Sequence, residues 1–480
     1  MIRKKHLVGA GSLLLAAALL GACRDSVGPG NGGTIPAGAA VISTNITQDR
    51  TLYRDTVYTL RGFVKVANNA TLTIQDGTRI EGDYEVLGSS LFVLRGARIR
   101  ALGTRERPIV FTSSRPVGQR ASGDWGGLII VGNGVINRIP DVVLEGTGTD
   151  QTLNPPVVYS GGNNNDDNSG TLRYVRVEYA GYATAQDAEL NSLTLAAVGR
   201  GTTVEFVQVL RGLDDSFEWF GGAVNGKYLV SYESGDDHFD ASEGYVGLNQ
   251  FMIAYQSGPV VIRPGAGSAA GDAQGIENDG CAPPAQNPQS CPQGQNSQPH
   301  TIPVFANFTL IGPGTGTGQE SNAGGIGMML RRGTGGHYIN GVVARYPRAA
   351  ISLRDENTRT RVTEGDLTVR NLVLAENAIA FQPQTGTTVQ FALPLEENAI
   401  TEAPGTAGSL FARLPATPTG APDFDWSPAG SSPIAAGGLT AFPAALQQRV
   451  GTFIAPTPYR GAAAPGGEKW WEGWTYYAVR

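Results

Sequence analysis

The sequence predicts an all-β solenoid of stacked coils, on three observations. Short β-type runs recur between turn residues, no segment shows a sustained helical period, and glycine makes up 66 of 480 residues. Equivalent runs also return at a spacing of 22 to 33 residues, which is the length of one coil. A coil of this size cannot bury its apolar side chains alone and must stack on its neighbours.

Taken in order, residues 1–22 read as a signal peptide. "MIRKK" is a basic start, and the apolar run from Leu7 to Leu20 is too short and too early for a membrane-spanning domain helix. The stretch "LLGAC" ending at Cys23 resembles the lipobox of bacterial lipoproteins. That resemblance implies an acylated Cys23 that holds the chain to a membrane by lipid alone. Arg24 stands where an inner-membrane retention signal would have aspartate, so the expected address is the outer membrane, on either leaflet. Residues 23–40 are rich in glycine and proline and read as a tether.

Residues 41–410 carry the repeating runs, among them "VEFVQVLRG" (204–212), "GKYLVSYESG" (226–235), "QFMIAYQSG" (250–258) and "ANFTLIG" (306–312). The spacing breaks near 258–302, where an insertion holds Cys281 and Cys291. In an exported chain a disulfide between them is expected, closing a small loop for roughly 3 kcal/mol and stiffening a surface excursion. Two cysteines without histidine neighbours make a poor zinc site. Asn307, Asn340 and Asn371 hold equivalent places in three successive runs and predict an asparagine ladder at one corner. Residues 411–480 concentrate Trp470, Trp471, Trp474, Tyr476 and Tyr477. These are expected to fold back over the open last coil and cover its unpaired edges, with a carbohydrate platform as the other reading.

"TLTIQDGTRIEG", "LFVLRGARIRALGTRERPIVFTSS" and "DWGGLIIVGNG" resemble the opening repeats of bacterial right-handed parallel β-helix surface proteins of the pectin-lyase-like type. "FEWFGGAVNGKYLVS", "GDDHFDASEGYVGLNQF", "SPAGSSPIAAGG" and the closing "GEKWWEGWTYYAVR" are similar to a set of β-helix surface lipoproteins. The resemblance implies a right-handed parallel β-helix over nearly all of the mature chain. It implies no activity, since this fold carries lyases, hydrolases, adhesins and passive scaffolds alike.

Chemistry concentrates in "DDSFEWFGG" (214–222) and "DDHFDASEG" (236–244), which align at an offset of 22 residues. Asp214 falls on Asp236, Asp215 on Asp237 and Glu218 on Asp240. Alternation puts Asp215, Phe217, Trp219, Asp237 and Phe239 on an inward face. It puts Asp214, Ser216, Glu218, Asp236, His238 and Asp240 on an outward one. Two unit charges stacked about 4.8 Å apart repel by roughly 3–4 kcal/mol at an effective dielectric of 20, so something must offset the charge. Arg211 and Lys227 are the basic neighbours close in sequence.

Three readings follow. The aspartates cap backbone N–H groups at coil corners; or Asp214, Glu218, Asp236, Asp237 and Asp240 hold calcium; or Asp214, Asp236 and Asp237 are catalytic carboxylates acting on a polysaccharide, with Arg211 as the base in a lyase variant. "GGNNNDDNSG" (161–170) is a disordered or calcium-binding loop, and "GPGTGTGQ" (312–319) lacks the context of a phosphate loop. A net charge of −6 with scattered basic residues excludes a nucleic-acid binder. The expected function is that of a monomeric, lipid-anchored envelope scaffold or binding module for glycan or a protein partner. The alternative is a calcium-dependent polysaccharide lyase or glycoside hydrolase built on the acidic coils at 214–218 and 236–243.

Overall fold

A computed structural model describes residues 38–149, 156–185, 188–268, 273–283, 289–317 and 325–478. Cys23, the signal segment and nearly all of the tether lie outside the described residues. Two long sheets dominate, one of 17 strands and one of 10, and successive strands within each are parallel with few exceptions. Parallel neighbours need a crossover connection, and here the rest of each coil supplies it. Thr203–Leu210 pairs with Asn225–Tyr232, which pairs with Leu248–Tyr255, which pairs with Val304–Ile311. In the second sheet Leu193–Ala196, Phe217–Phe220, Phe239–Ser242 and Ile276–Asp279 follow one another in the same way. Phe217 lies opposite Phe239 and Glu218 opposite Asp240, so the offset of 22 residues is one coil. The architecture is a parallel β-helix.

Within the second sheet the period of two sorts side chains cleanly. Leu193, Leu195, Phe217, Trp219, Phe239, Ala241, Ile276, Met328 and Leu330 enter one continuous core. Phe217, Trp219, Phe239 and Tyr245 stack there with ring centroids 5.3 to 6.4 Å apart. Half-buried Phe381, Phe391, Leu393 and Leu395 close the core near its C-terminal coils.

In the first sheet each long strand is broken by one left-handed residue. Tyr174, Phe206, Tyr228, Phe251, Asn307, Asn340 and Asn371 occupy this column, with φ between 49° and 62°. Asparagine tolerates that conformation. The aromatic residues gain ring stacking, at 4.4, 4.4 and 5.1 Å down the column. The expected asparagine ladder is corrected here. The three positions are equivalent, but their amides bond outward to the C-terminal segment: Asn307 and Asn340 to the Thr457 hydroxyl, Asn371 to the Gly437 carbonyl.

The C-terminal segment departs from expectation for a related reason. It does not cover the last coil; it runs lengthwise along the flank of the first sheet. Asn371 holds Gly437, Gln250 holds Ala455, Lys227 donates to Phe453, Gln208 holds Tyr476, and Arg105 pairs with Glu468. Leu210, Tyr232, Tyr255 and Ile311 form an outward apolar column on that flank, and such a surface must be covered. Trp426, Trp470, Trp471, Trp474 and Tyr477 bury themselves against it.

Excursions leave the second sheet. Residues 133–149 and 156–160 belong to a lobe not foreseen from sequence; its Ile136, Val142, Leu144, Val157 and Tyr159 cover the outward apolar patch of Phe92, Ile129, Val131 and Phe220. Cys281 and Cys291 are joined, and both are buried beside this lobe rather than exposed on a surface excursion. Next to the bridge, Ser290 accepts from the Ile139 amide. The loop 161–170 is ordered: Asp167 accepts from the Asn133 amide and Asn165 from the Val135 amide. Short helices also occur, the longest described one being Glu356–Glu364, capped by Asp355 and ended by Gly365.

Candidate functional site: an acidic cleft

The repeated motif of an apolar residue followed by an acid builds the site. In Phe217-Glu218, Phe239-Asp240 and Ile276-Glu277 the first residue enters the core and the second faces outward on the next pleat. Stacking at one-coil spacing then makes a column of Glu218, Asp240 and Glu277. The corner just before the strands adds Asp214, Asp215, Asp236 and Asp237. Together these line a cleft of about 830 Å³ whose walls also carry Glu145 from the lobe, Glu189, Glu243 and Asp279.

The corner pairs divide their work. Asp215 accepts from the Asp237 amide at 2.8 Å, and Asp237 accepts from the Gln274 amide at 2.7 Å. Asn191 accepts from the Asp215 amide, and Gln274 from the Ile326 amide, so Asn191, Asp215, Asp237 and Gln274 form a side-chain ladder linking five coils. This is the ladder the asparagines were expected to form, made at another corner by other residues. Residues 214–216 and 236–238 are bends rather than extended strand, so alternation does not hold there. That corrects two placements. Asp215 and Asp237 line the cleft instead of pointing inward. His238 is fully buried, its Nδ1 is 2.6 Å from the Ser231 hydroxyl, and burial pushes its pKa down to about 3.

Three sets of carboxylates bring one oxygen each within 4.8 Å of one another: Asp214, Asp215 and Asp236; Asp215, Glu218 and Asp240; Asp237, Asp240 and Glu277. All five residues predicted as metal ligands are in this constellation, joined by Asp215 and Glu277. Burial, reinforced by neighbouring carboxylates, pushes Asp214, Asp215, Glu218, Asp237 and Asp240 well above the usual carboxylate range. Burial likewise brings Glu277 to about 7 and Glu145 to about 8, Glu145 with help from Glu189 and Glu243. One Asp240 oxygen is buried without a hydrogen-bond donor.

Arg211 and Lys227 do not balance this charge. Arg211 turns to the opposite flank, where it donates to the Ala478 carbonyl at 2.8 Å, and Lys227 donates to the Phe453 carbonyl. Both follow the outward side of the first sheet, which the acidic corner does not share. The balancing cations come from far in sequence. Arg138 of the lobe pairs with Glu243, whose other oxygen accepts from the Tyr159 hydroxyl. Arg331 pairs with Glu277 and Asp279, and Arg332 with Asp279. The Ile276-Glu277-Asn278-Asp279 strand repeats the pattern of Phe239-Asp240-Ala241-Ser242 and was legible in principle; the insertion before it hid its offset.

Each arginine in the cleft thus meets a carboxylate at one of its ends, and the middle of the row holds carboxylates facing carboxylates. Such a site can take hard cations through oxygen ligands, and its protonated acids can donate protons.

No curated protein and no solved structure matches the chain. A family model described as a pectate-lyase-like beta helix domain matches residues 44–412. Apart from the first strand, Gly38–Ile42, that span takes in the described coils of the solenoid and the whole acidic cleft, and the chain belongs to the family of pectate-lyase-like β-helix domains.

Proposed function

We propose that this chain is an envelope-anchored binding protein, held by an acylated Cys23 at the outer membrane, whose acidic cleft takes divalent cations and through them a glycan. Calcium is the foremost candidate, because the ligands are all oxygens at variable spacing. The observation that carries this reading is the set of three carboxylate triads, sharing Asp215 and Asp240, in one row of buried and half-buried side chains. A cation there would offset repulsion that the arginines at the ends leave standing. Family membership supports a carbohydrate-related role, and bound cations would give sugar hydroxyls or carboxylates a site to coordinate. Asp214, Asp215, Glu218, Asp236, Asp237, Asp240 and Glu277 would hold the ions.

Titration calorimetry with calcium chloride on protein stripped with EDTA tests this. Binding is expected in the wild type, with strong loss in Asp240→Asn. Absence of binding by calcium, magnesium and manganese alike would sink the proposal.

A second reading, glycoside hydrolysis, draws on Glu145, which lines the same cleft and which burial beside Glu189 and Glu243 keeps protonated up to about pH 8. General acid catalysis needs a carboxyl that still holds its proton near neutral pH. New reducing ends released from neutral or acidic polysaccharides, and lost in Glu145→Gln, would establish it. The lyase variant loses its base, since Arg211 does not reach the cleft.

A further inference from the structure

We infer that the C-terminal segment is a positioning element for the acidic cleft, acting from the far flank of the solenoid through Tyr477 and Ala478. The inference concerns the geometry of the cleft and stands with or without a cation in it.

Each acidic pair begins three residues after a left-handed residue on that flank. Arg211, at φ 55°, precedes Asp214, and Glu233, at φ 60°, precedes Asp236, one coil later. The tail grips both. Arg211 donates to the Ala478 carbonyl at 2.8 Å, and the Tyr477 hydroxyl donates to the Glu233 carboxylate at 2.7 Å. The second Glu233 oxygen accepts from the Ser257 amide, one coil further on. Two consecutive tail residues therefore tie three successive coils at the corner that leads into the cleft.

The connection from this flank to the carboxylates has no slack. A Cβ on Gly235 would lie 1.8 Å from the Leu213 carbonyl oxygen, so the two turns stack backbone on backbone. The Ser234 hydroxyl is 3.1 Å from the Asp214 carbonyl and 2.9 Å from that of Asp237, joining the two acidic corners directly. A shift of Arg211 or Glu233 must move Asp214, Asp215, Asp236 and Asp237. Like charges on adjacent coils push those coils apart. The Asp215–Asp237 ladder resists on the cleft side, and the tail resists behind it. Glu233 is 1 % exposed, so its carboxylate has no water to replace the tyrosine.

Hydrogen exchange read by mass spectrometry on the full-length protein tests the inference. In Tyr477→Phe, peptides covering 211–216 and 233–238 are expected to exchange about tenfold faster, with peptides over 58–74 unchanged. Glu233→Gln can accept from Ser257 and donate to the Tyr477 oxygen, and should exchange like wild type. Unchanged exchange at both corners in Tyr477→Phe would overturn the inference, as would equal acceleration over 58–74, which marks a merely global loss of stability. Calcium titration of the same proteins keeps the two ideas apart. A wild type that binds no calcium while the corners respond to Tyr477→Phe sinks the cation proposal and supports this one. Calcium binding without any corner response does the reverse.

Discussion

Raising the pH in the absence of divalent cations should destabilise this protein, and Glu277 sets the scale. Its carboxyl is buried and keeps its proton in the folded chain up to about pH 7, against an ordinary value of 4.5. Between those two values the folded state binds more protons than the unfolded one, so stability falls as pH rises. The full stabilisation is present below pH 4.5 and is lost by the time pH passes 7. A displacement of that size corresponds to about 3 kcal/mol for this one group. Asp215, Glu218 and Asp237 are displaced in the same direction and add to the fall. Unfolding entropy of about 2.1 cal/mol/K per residue amounts to about 1 kcal/mol/K for a chain this long, so Glu277 alone should lower Tm by about 3 °C. The assay is a thermal melt in EDTA at pH 5 and pH 8, repeated with calcium. In EDTA Tm should drop on going to pH 8; calcium at 100 times its Kd should return about 2.7 kcal/mol. A Tm in EDTA that is flat or rises from pH 5 to pH 8 would refute the reasoning, whatever calcium does.

The corner ladder and the stacked turns give two further expectations. Asp215→Asn keeps an acceptor for the Asp237 amide and removes a charge from the row, so urea melts in EDTA should show it equal to wild type or more stable. Asp215→Ala leaves that buried amide unpaired and should cost about 1–3 kcal/mol relative to Asp215→Asn; equal stabilities would contradict the ladder. Gly235→Ala places a methyl group 1.8 Å from the Leu213 carbonyl oxygen. It should abolish soluble folded protein or cost more than about 3 kcal/mol, and a wild-type melting curve for this variant would contradict the stacking of the two turns.

Much of this molecule is readable from the chain because a solenoid turns sequence distance into spatial distance. Phe217 meets Phe239 and Glu218 meets Asp240 at a fixed offset, so the coil length, the core positions and the column of outward acids follow from repetition alone. Cys281 and Cys291 were likewise paired by counting. Local chemistry misled where the backbone left the strand: at the bends of 214–216 and 236–238 alternation fails, which misplaced Asp215, Asp237 and His238.

Contacts without a fixed offset stayed invisible. Nothing in "WWEGWTYYAVR" shows whether its aromatic residues cover an end or a flank. That depends on Leu210, Tyr232, Tyr255 and Ile311 forming an outward apolar column, which exists only once the coils are stacked. Arg138, Arg331 and Arg332 reach the acidic row from other segments, while Arg211 and Lys227, its sequence neighbours, face away. Repetition along the chain decides the coil and its faces. Tertiary folding decides which lobe, loop and tail cover those faces, because burial of an apolar surface is non-directional and any sufficiently apolar segment within reach can supply it.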